Sequence, residues 1–148
     1  MSQVDLAREI LRTCVCSRTR MLDRILTQVF DDALRNIGIG SSQLTMLALV
    51  ASLEGLRAVE IGRMLEMEKS TVSRGLSVLR KRGWIHTVER KGGTGQGVGV
   101  TDQGNKVLQR AGPVWRAAED NAKDVLGSDA MDSLKRAADS YLHLRASS

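Results

Sequence analysis

The chain has 148 residues, a net charge of +5 and an aromatic content of only 3%. Its length fits one domain, 1–148, and suffices to bury roughly 70% of the unfolded surface without disulfide or metal staples. With so few rings, the core must come from Leu, Val, Ile, Met and Ala, which favours helix on helix over a sandwich or barrel.

No apolar run approaches the ~18 residues of a membrane span. Asp5, Arg8 and Glu9 among the first apolar residues argue against a signal peptide, so a cytoplasmic protein with no membrane partner is expected. The charge is unevenly placed. Residues 57–91 carry nine cations (Arg57, Arg63, Lys69, Arg74, Arg80, Lys81, Arg82, Arg90, Lys91) and four anions (Glu60, Glu66, Glu68, Glu89). Outside that stretch cations and anions balance, so the whole excess of +5 sits within it. That is the footprint of a surface for a polyanion, or of a merely solvated basic face.

Apolar residues recur at helical spacing over residues 4–35: Ala7, Leu11, Cys14, then Leu22, Ile25, Leu26, Val29, Phe30, Ala33 and Leu34. This predicts a long first helix with a break near Ser17, stopped by Gly38 and Gly40. Its apolar stripe needs a cover, and a second copy of the chain is the economical one. Ser41 or Ser42 is expected to cap the next helix, to about residue 53, with Leu44, Leu47, Val50 and Ala51 inward. A short helix follows at 58–65, with Ile61, Met64 and Leu65 inward.

After the turn at 66–68, a helix over 69–82 places Val72, Leu76 and Leu79 at i, i+4 and i+7, one face. Ser70, Thr71, Ser73, Arg74, Ser77 and Lys81 point elsewhere, an outer face of hydroxyls and cations suited to phosphate and base edges. Gly83 stops this helix. Residues 84–90 read as a strand with Trp84, His86 and Val88 on one side. Residues 91–97 form a glycine loop and 98–100 a return strand, together a wing. Thr101 caps a helix over 102–126 that Pro113 should kink. Gly127 ends it, and Ser128 caps a last helix with Met131, Leu134, Ala138, Tyr141 and Leu142 as its stripe.

The expected fold is therefore mainly α with a small two- or three-stranded antiparallel β-wing. A winged helix-turn-helix lobe spans 41–101, and a helical dimerisation lobe combines 1–38 with 102–148.

FDDALRNIGIGSSQLTMLALV (30–50), VEIGRMLEMEKSTVSRGLSVLRKRGWI (59–85), VTDQGNKVLQRAGPVWRAA (100–118) and VLGSDAMDSL (125–134) resemble the MarR family of dimeric transcriptional regulators. The resemblance covers about residues 10–145. It implies a homodimer whose first and last two helices form the dimer lobe, with each winged helix entering a major groove of double-stranded DNA. It also implies repression or activation of promoters, with release by a small-molecule effector or by oxidation. The effector cleft of such regulators implies Arg18, Arg20, Met21 and Met46 as lining residues. One departure stands out: the family's wing tip usually carries an Asp and an Arg, and KGGTGQGVG has neither.

On the recognition helix, Lys69, Ser70, Thr71, Ser73 and Arg74 occupy the first turns, which meet base edges in helix-turn-helix docking. Arg74 can pair bidentately with guanine for about 1–3 kcal/mol of discrimination. Ser70 and Thr71 suit phosphate contacts or capping of their helix. Ser42 and Gln43 suit phosphate binding at a helix N-terminus, or capping. Arg90 and Lys91, at the base of the wing, are candidate DNA contacts that could substitute electrostatically for the wing-tip arginine of the resembled family. Gly75 allows close approach of a neighbouring helix or of DNA, at about 1 kcal/mol against alanine.

Cys14 and Cys16 would lie about 200° apart around a continuous helix, which disfavours a bond between them. They are either a redox sensor working through a partner chain or a single-cysteine step, or small apolar packing residues. Some relatives in the resembled family sense oxidants through an N-terminal cysteine. His86 and His143 lie apart from the cysteines, so no metal site is expected. The glycine loop does not fit a dinucleotide motif, and Trp115 and Tyr141 read as core. Neither paired carboxylates nor a catalytic triad appears, so neither an enzyme nor a cofactor is expected. The competing function is a protein-interaction module that uses the winged helix without sequence-specific DNA contact.

Overall fold

The computed structural model describes residues 2–90 and 92–146. Among them the order is α1 (Gln3–Thr13), α2 (Val15–Leu34), a 3-10 turn (Arg35–Ile37), α3 (Ser41–Ser52), α4 (Ala58–Leu65), α5 (Lys69–Lys81), β1 (Ile85–Glu89), β2 (Gln96–Val100), α6 (Asp102–Leu126) and α7 (Ser128–Ala146). The fold is mainly α with a two-stranded antiparallel wing, a winged helix. The chain divides into two compact units, Ala33–Ala117 and the pair Met1–Asp32 with Ala118–Ser148.

The core of Ala33–Ala117 is aliphatic. Leu34, Leu47, Val50, Ile61 and Leu79 are fully buried, with Met46, Val72, Leu76, Trp84, Ile85, Val98, Val107 and Ala111 beside them. Of the expected α3 stripe, Leu47 and Val50 are buried and Leu44 half-buried, whereas Ala51 is exposed and Met46 is inside as well. On α4, Ile61 is buried as expected but Met64 is 43% exposed. Neither serine caps α3. Gly40 holds the cap position, its N–H donating to Gln43 Oε1 at 3.4 Å.

In the wing, β1 and β2 pair from Ile85↔Val100 to Glu89↔Gln96. The return strand starts two residues earlier than its apolar letters indicate, because backbone pairing needs no side chain. A third strand survives only as Leu56, whose carbonyl accepts the Val98 N–H at 2.9 Å. Gly97, expected in the loop, is a buried sheet residue, as is Gly99, expected in the return strand. A β-carbon on Gly97 would lie 2.1 Å from the Gly55 carbonyl oxygen. Trp84 precedes the strand and is buried beside Ile85, so the expected alternation starts one residue late.

In the other unit the helix breaks at Cys14, three residues before Ser17. Cys14 is extended (φ −64°, ψ 110°), and its N–H still donates to the Ile10 carbonyl at 3.0 Å. Two local hydrogen bonds frame the break: Thr13 Oγ1 to the Glu9 carbonyl at 2.8 Å, and Arg18 Nη2 to the Arg12 carbonyl at 2.8 Å. Ser2 caps α1 through Asp5, whose carboxyl is thereby held below its ordinary pKa. α1 buries none of its residues. α6 runs through Pro113 as one helix of 25 residues. The Gly127 carbonyl, not the Ser128 hydroxyl, opens α7 by accepting the Met131 N–H. Ala118, Ala122 and Met131 are buried, and Glu119 pairs with Lys135 at 2.7 Å, raising the lysine pKa. The far end of α7 is open: Tyr141, Leu142 and Leu144 are 47–70% exposed.

Candidate nucleic-acid interface

The sequence Glu-Lys-Ser-Thr-Val-Ser-Arg opens α5. Glu68 is its N-cap in extended conformation, and its carbonyl accepts the Val72 N–H at 3.0 Å. No side chain caps the helix. Ser70 and Thr71 lie inside the first turn, so the capping alternative does not hold for them. Thr71 Oγ1 instead lies 3.5 Å from Arg74 Nη2.

Burial sorts the helix cleanly. Val72, Leu76 and Leu79 are inward, whereas Lys69, Ser70, Ser73, Arg74 and Ser77 are exposed and Thr71 is half-buried. Gly75 explains how α5 sits so close to α3: a β-carbon there would meet Met46 Cε at 2.6 Å. Of the two alternatives for Gly75, the neighbouring helix is therefore the one built. Met46, at 1% exposure, is committed to this contact and cannot line an effector cleft. Ser42 is exposed at the start of α3, while Gln43 is half-buried and occupied with Gly40.

Arg90 meets a partner that sequence spacing did not reveal. Its Nη2 lies 3.0 Å from Glu60 Oε1, thirty residues away on α4. Glu60 also accepts the Arg57 N–H at 2.7 Å and the Arg57 guanidinium at 3.3 Å. These bonds hold the Glu60 carboxyl below its ordinary pKa, the Arg57 backbone N–H first, then its guanidinium, with the charge of Arg90 adding to them. Lys91 falls outside the described residues. At the wing tip Gly92, Gly93, Thr94 and Gly95 are exposed and uncharged, with Gly92 and Gly95 at positive φ.

Other candidates lie elsewhere. Cys14 is half-buried at the α1–α2 break and Cys16 is exposed in the first turn of α2; both are free thiols. The break removes the premise that they share one helix. Arg18 donates to the Arg12 carbonyl, and Met21 is 48% exposed. Trp115 and Tyr141 are 43% and 49% exposed, not core. No group of three or more metal-ligating side chains occurs among the described residues.

Sequence reasoning counted Arg82 among the cations but gave it no partner. It ends α5, donates through Nη1 to the Gly38 carbonyl, and lies 4.9 Å over the Trp84 ring. The only signal was a cation placed beside the stop glycine and a tryptophan.

A sequence profile of the MarR family matches residues 37–94. The M. tuberculosis transcriptional regulator MosR, solved in complex with DNA, is 32% identical over 86% of this chain and 99% of its own, with a TM-score of 0.66. The chain belongs to the MarR family. A second MosR structure is 27% identical over 87% of this chain and 98% of its own, at TM-score 0.71. The winged-helix likeness extends to a mutant of E. coli MarR complexed with operator DNA, 16% identical over 90% of this chain and 97% of its own, at TM-score 0.76. Comparison with curated protein sequences gives no match. These MarR-family relatives are transcriptional regulators, and no described helix here is long and apolar enough to cross a membrane.

Proposed function

We propose that the chain is a cytoplasmic, homodimeric regulator that binds a pseudo-palindromic operator through α5 and is released by a small-molecule or oxidant signal. One observation carries this reading. The first two turns of α5 expose Lys69, Ser70, Ser73 and Arg74 together, while Val72, Leu76 and Leu79 anchor the opposite face. Arg74 reads guanine, and Lys69, Ser70 and Thr71 contact phosphate or mixed edges. Ser73 and Ser77 extend the same face. Ser42 contacts backbone phosphate, with Gln43 holding the α3 entrance in shape. Arg90 acts from its Glu60 pair to set the wing root, and Lys91 adds charge there.

The exposed apolar residues of α1 and α7, including Ile10, Leu11, Leu142 and Leu144, support a dimer lobe made of 1–38 and 102–148. Cys14, at the break between two helices, is the place where an oxidant signal would act on that lobe.

The test is fluorescence anisotropy on fragments of the source genome across a salt series. Affinity should fall steeply as salt rises, because bound cations displace condensed counterions. Half-sites should lie about one helical turn, ~34–36 Å, apart. Arg74→Ala should relax specificity, whereas Lys91→Ala should lower affinity evenly across sequences. Salt-independent binding without preference for any fragment would favour the interaction-module reading.

A further inference from the structure

Residues 92–100, the wing loop and its return strand, carry no charged side chain. Arg90 stands at the root of that loop, and its guanidinium is engaged within the protein. Its Nη2 lies 3.0 Å from Glu60 Oε1, in a pair whose side chains are only 24% and 25% exposed. The wing loop lies against the same guanidinium: a β-carbon on Gly93 would be 3.7 Å from Arg90 Cζ and 3.8 Å from Nε and Nη1. The Arg90 N–H donates to the Gly95 carbonyl at 3.4 Å, which closes the loop. Glu60 is fixed in turn by Arg57, whose N–H donates to Oε2 at 2.7 Å and whose guanidinium reaches Oε1 at 3.3 Å. All of these groups belong to the one compact unit Ala33–Ala117.

A guanidinium pairs with a carboxylate through the same charge-assisted hydrogen bonds that it makes to a phosphate. Glu60 therefore fills the partner position that a DNA phosphate would take on Arg90. It is part of the same chain and always at hand, and a pair so shielded from water is screened little by salt. We propose that Glu60 is a positioning residue acting through Arg90. It keeps that guanidinium on the wing root and off the DNA backbone, so that Arg90 neutralises no phosphate. The ionic attraction to the duplex then falls to α5 and to Lys91. The inference rests on the DNA-binding function proposed above, in which the wing and α5 meet one duplex.

The experiment titrates the full chain by fluorescence anisotropy against two duplexes, one that the wild type selects from a random pool and one of scrambled sequence. Salt runs from about 50 to about 200 mM, a range over which each neutralised phosphate adds about 0.9 to the slope of log affinity against log salt. Glu60→Gln keeps the shape and an acceptor for the Arg57 N–H but removes the charge. Its slope should be steeper than that of the wild type by about 0.9, so that its gain in affinity is about three- to fourfold larger at the low end of the range than at the high end. The gain should be alike on both duplexes, since phosphates carry no sequence information. Glu60→Gln combined with Arg90→Gln should return to the wild-type slope. Arg90→Gln by itself should keep a slope within about 0.3 of wild type, whatever it does to affinity. This last variant decides the matter if circular dichroism shows that Glu60→Gln does not fold. A purely structural role for Glu60 would lower the thermal midpoint and leave the slope of the folded protein unchanged. An unchanged slope in folded Glu60→Gln thus overturns the proposal. So does a steep slope that persists in the double variant, which assigns the released charge to Arg57. A slope lowered by about 0.9 in Arg90→Gln overturns it too, because Arg90 is then already a phosphate contact. A wild type that binds neither duplex overturns the DNA-binding reading and this inference with it, whereas binding by the wild type leaves that reading standing whichever way the variants fall.

Discussion

A β-carbon at Gly97 would lie 2.1 Å from the Gly55 carbonyl oxygen and 2.4 Å from its carbon, both backbone atoms that cannot rotate away. Gly97→Ala should therefore destabilise the chain by about 1–3 kcal/mol through overpacking, read as a lower urea midpoint. Gly93, four residues earlier, faces only the Arg90 guanidinium at 3.7 Å or more and has no positive φ. There alanine should be neutral or stabilise by about 0.4–1 kcal/mol, because it restricts the unfolded chain. Two glycines four residues apart in the wing, one in the loop and one in β2, thus have opposite roles, and chemical denaturation of the two variants separates them.

Glu60 gives a pH prediction at the same scale. Its carboxyl titrates below the ordinary value of 4.5 in the folded chain. A depressed carboxylate pKa contributes stability above the unfolded value, and that contribution disappears as pH falls through the folded value. The stability difference between wild type and Glu60→Gln should be present at pH 7 and shrink below about pH 4.5. A difference that stays constant to pH 3 would remove Glu60 from the account of the wing root.

At the scale of the element, α5 is a strip of two chemistries. Leu79 is fully buried and Arg74 is exposed only five residues away. Leu79→Ala should cost about 2–5 kcal/mol of folding free energy through lost burial and a residual cavity. Arg74→Ala should leave the thermal midpoint within a few degrees of wild type, since exposed substitutions change stability by about 0.5 kcal/mol or less. The helical period exposed this division in the sequence. The limits of β2 were hidden, because its strand residues Gln96 and Gly97 carry no strand-like side chain and are recruited by the backbone of β1. The break expected near Ser17 falls at Cys14, and its place was hidden for a related reason: Thr13 and Arg18 close it through backbone carbonyls, which no side-chain pattern announces.

For the whole molecule, the open question in physical terms is what covers the apolar surface of α1 and α7. Ile10, Leu11, Tyr141, Leu142 and Leu144 are 47–72% exposed in the single chain. A second copy offers the same residues in return, as two-fold symmetry requires. Sedimentation should show a dimer at micromolar concentration, with a thermal midpoint that rises with protein concentration. Ile10→Glu with Leu142→Glu should shift the population towards monomer and remove that concentration dependence. A monomer in the wild type would leave the lobe without the partner proposed for it.

The sequence alone determined the order of elements, the family and the polar face of α5, because helical spacing, glycine stops and local charge are properties of neighbouring letters. Tertiary structure alone decided which cations are committed. Arg90 finds Glu60 thirty residues away, Arg82 finds Gly38 forty-four residues away, and Met46 turns inward against Gly75 instead of facing a cleft. Each is a meeting of atoms distant in the chain, and no local pattern encodes which distant backbone or carboxylate a long side chain will reach.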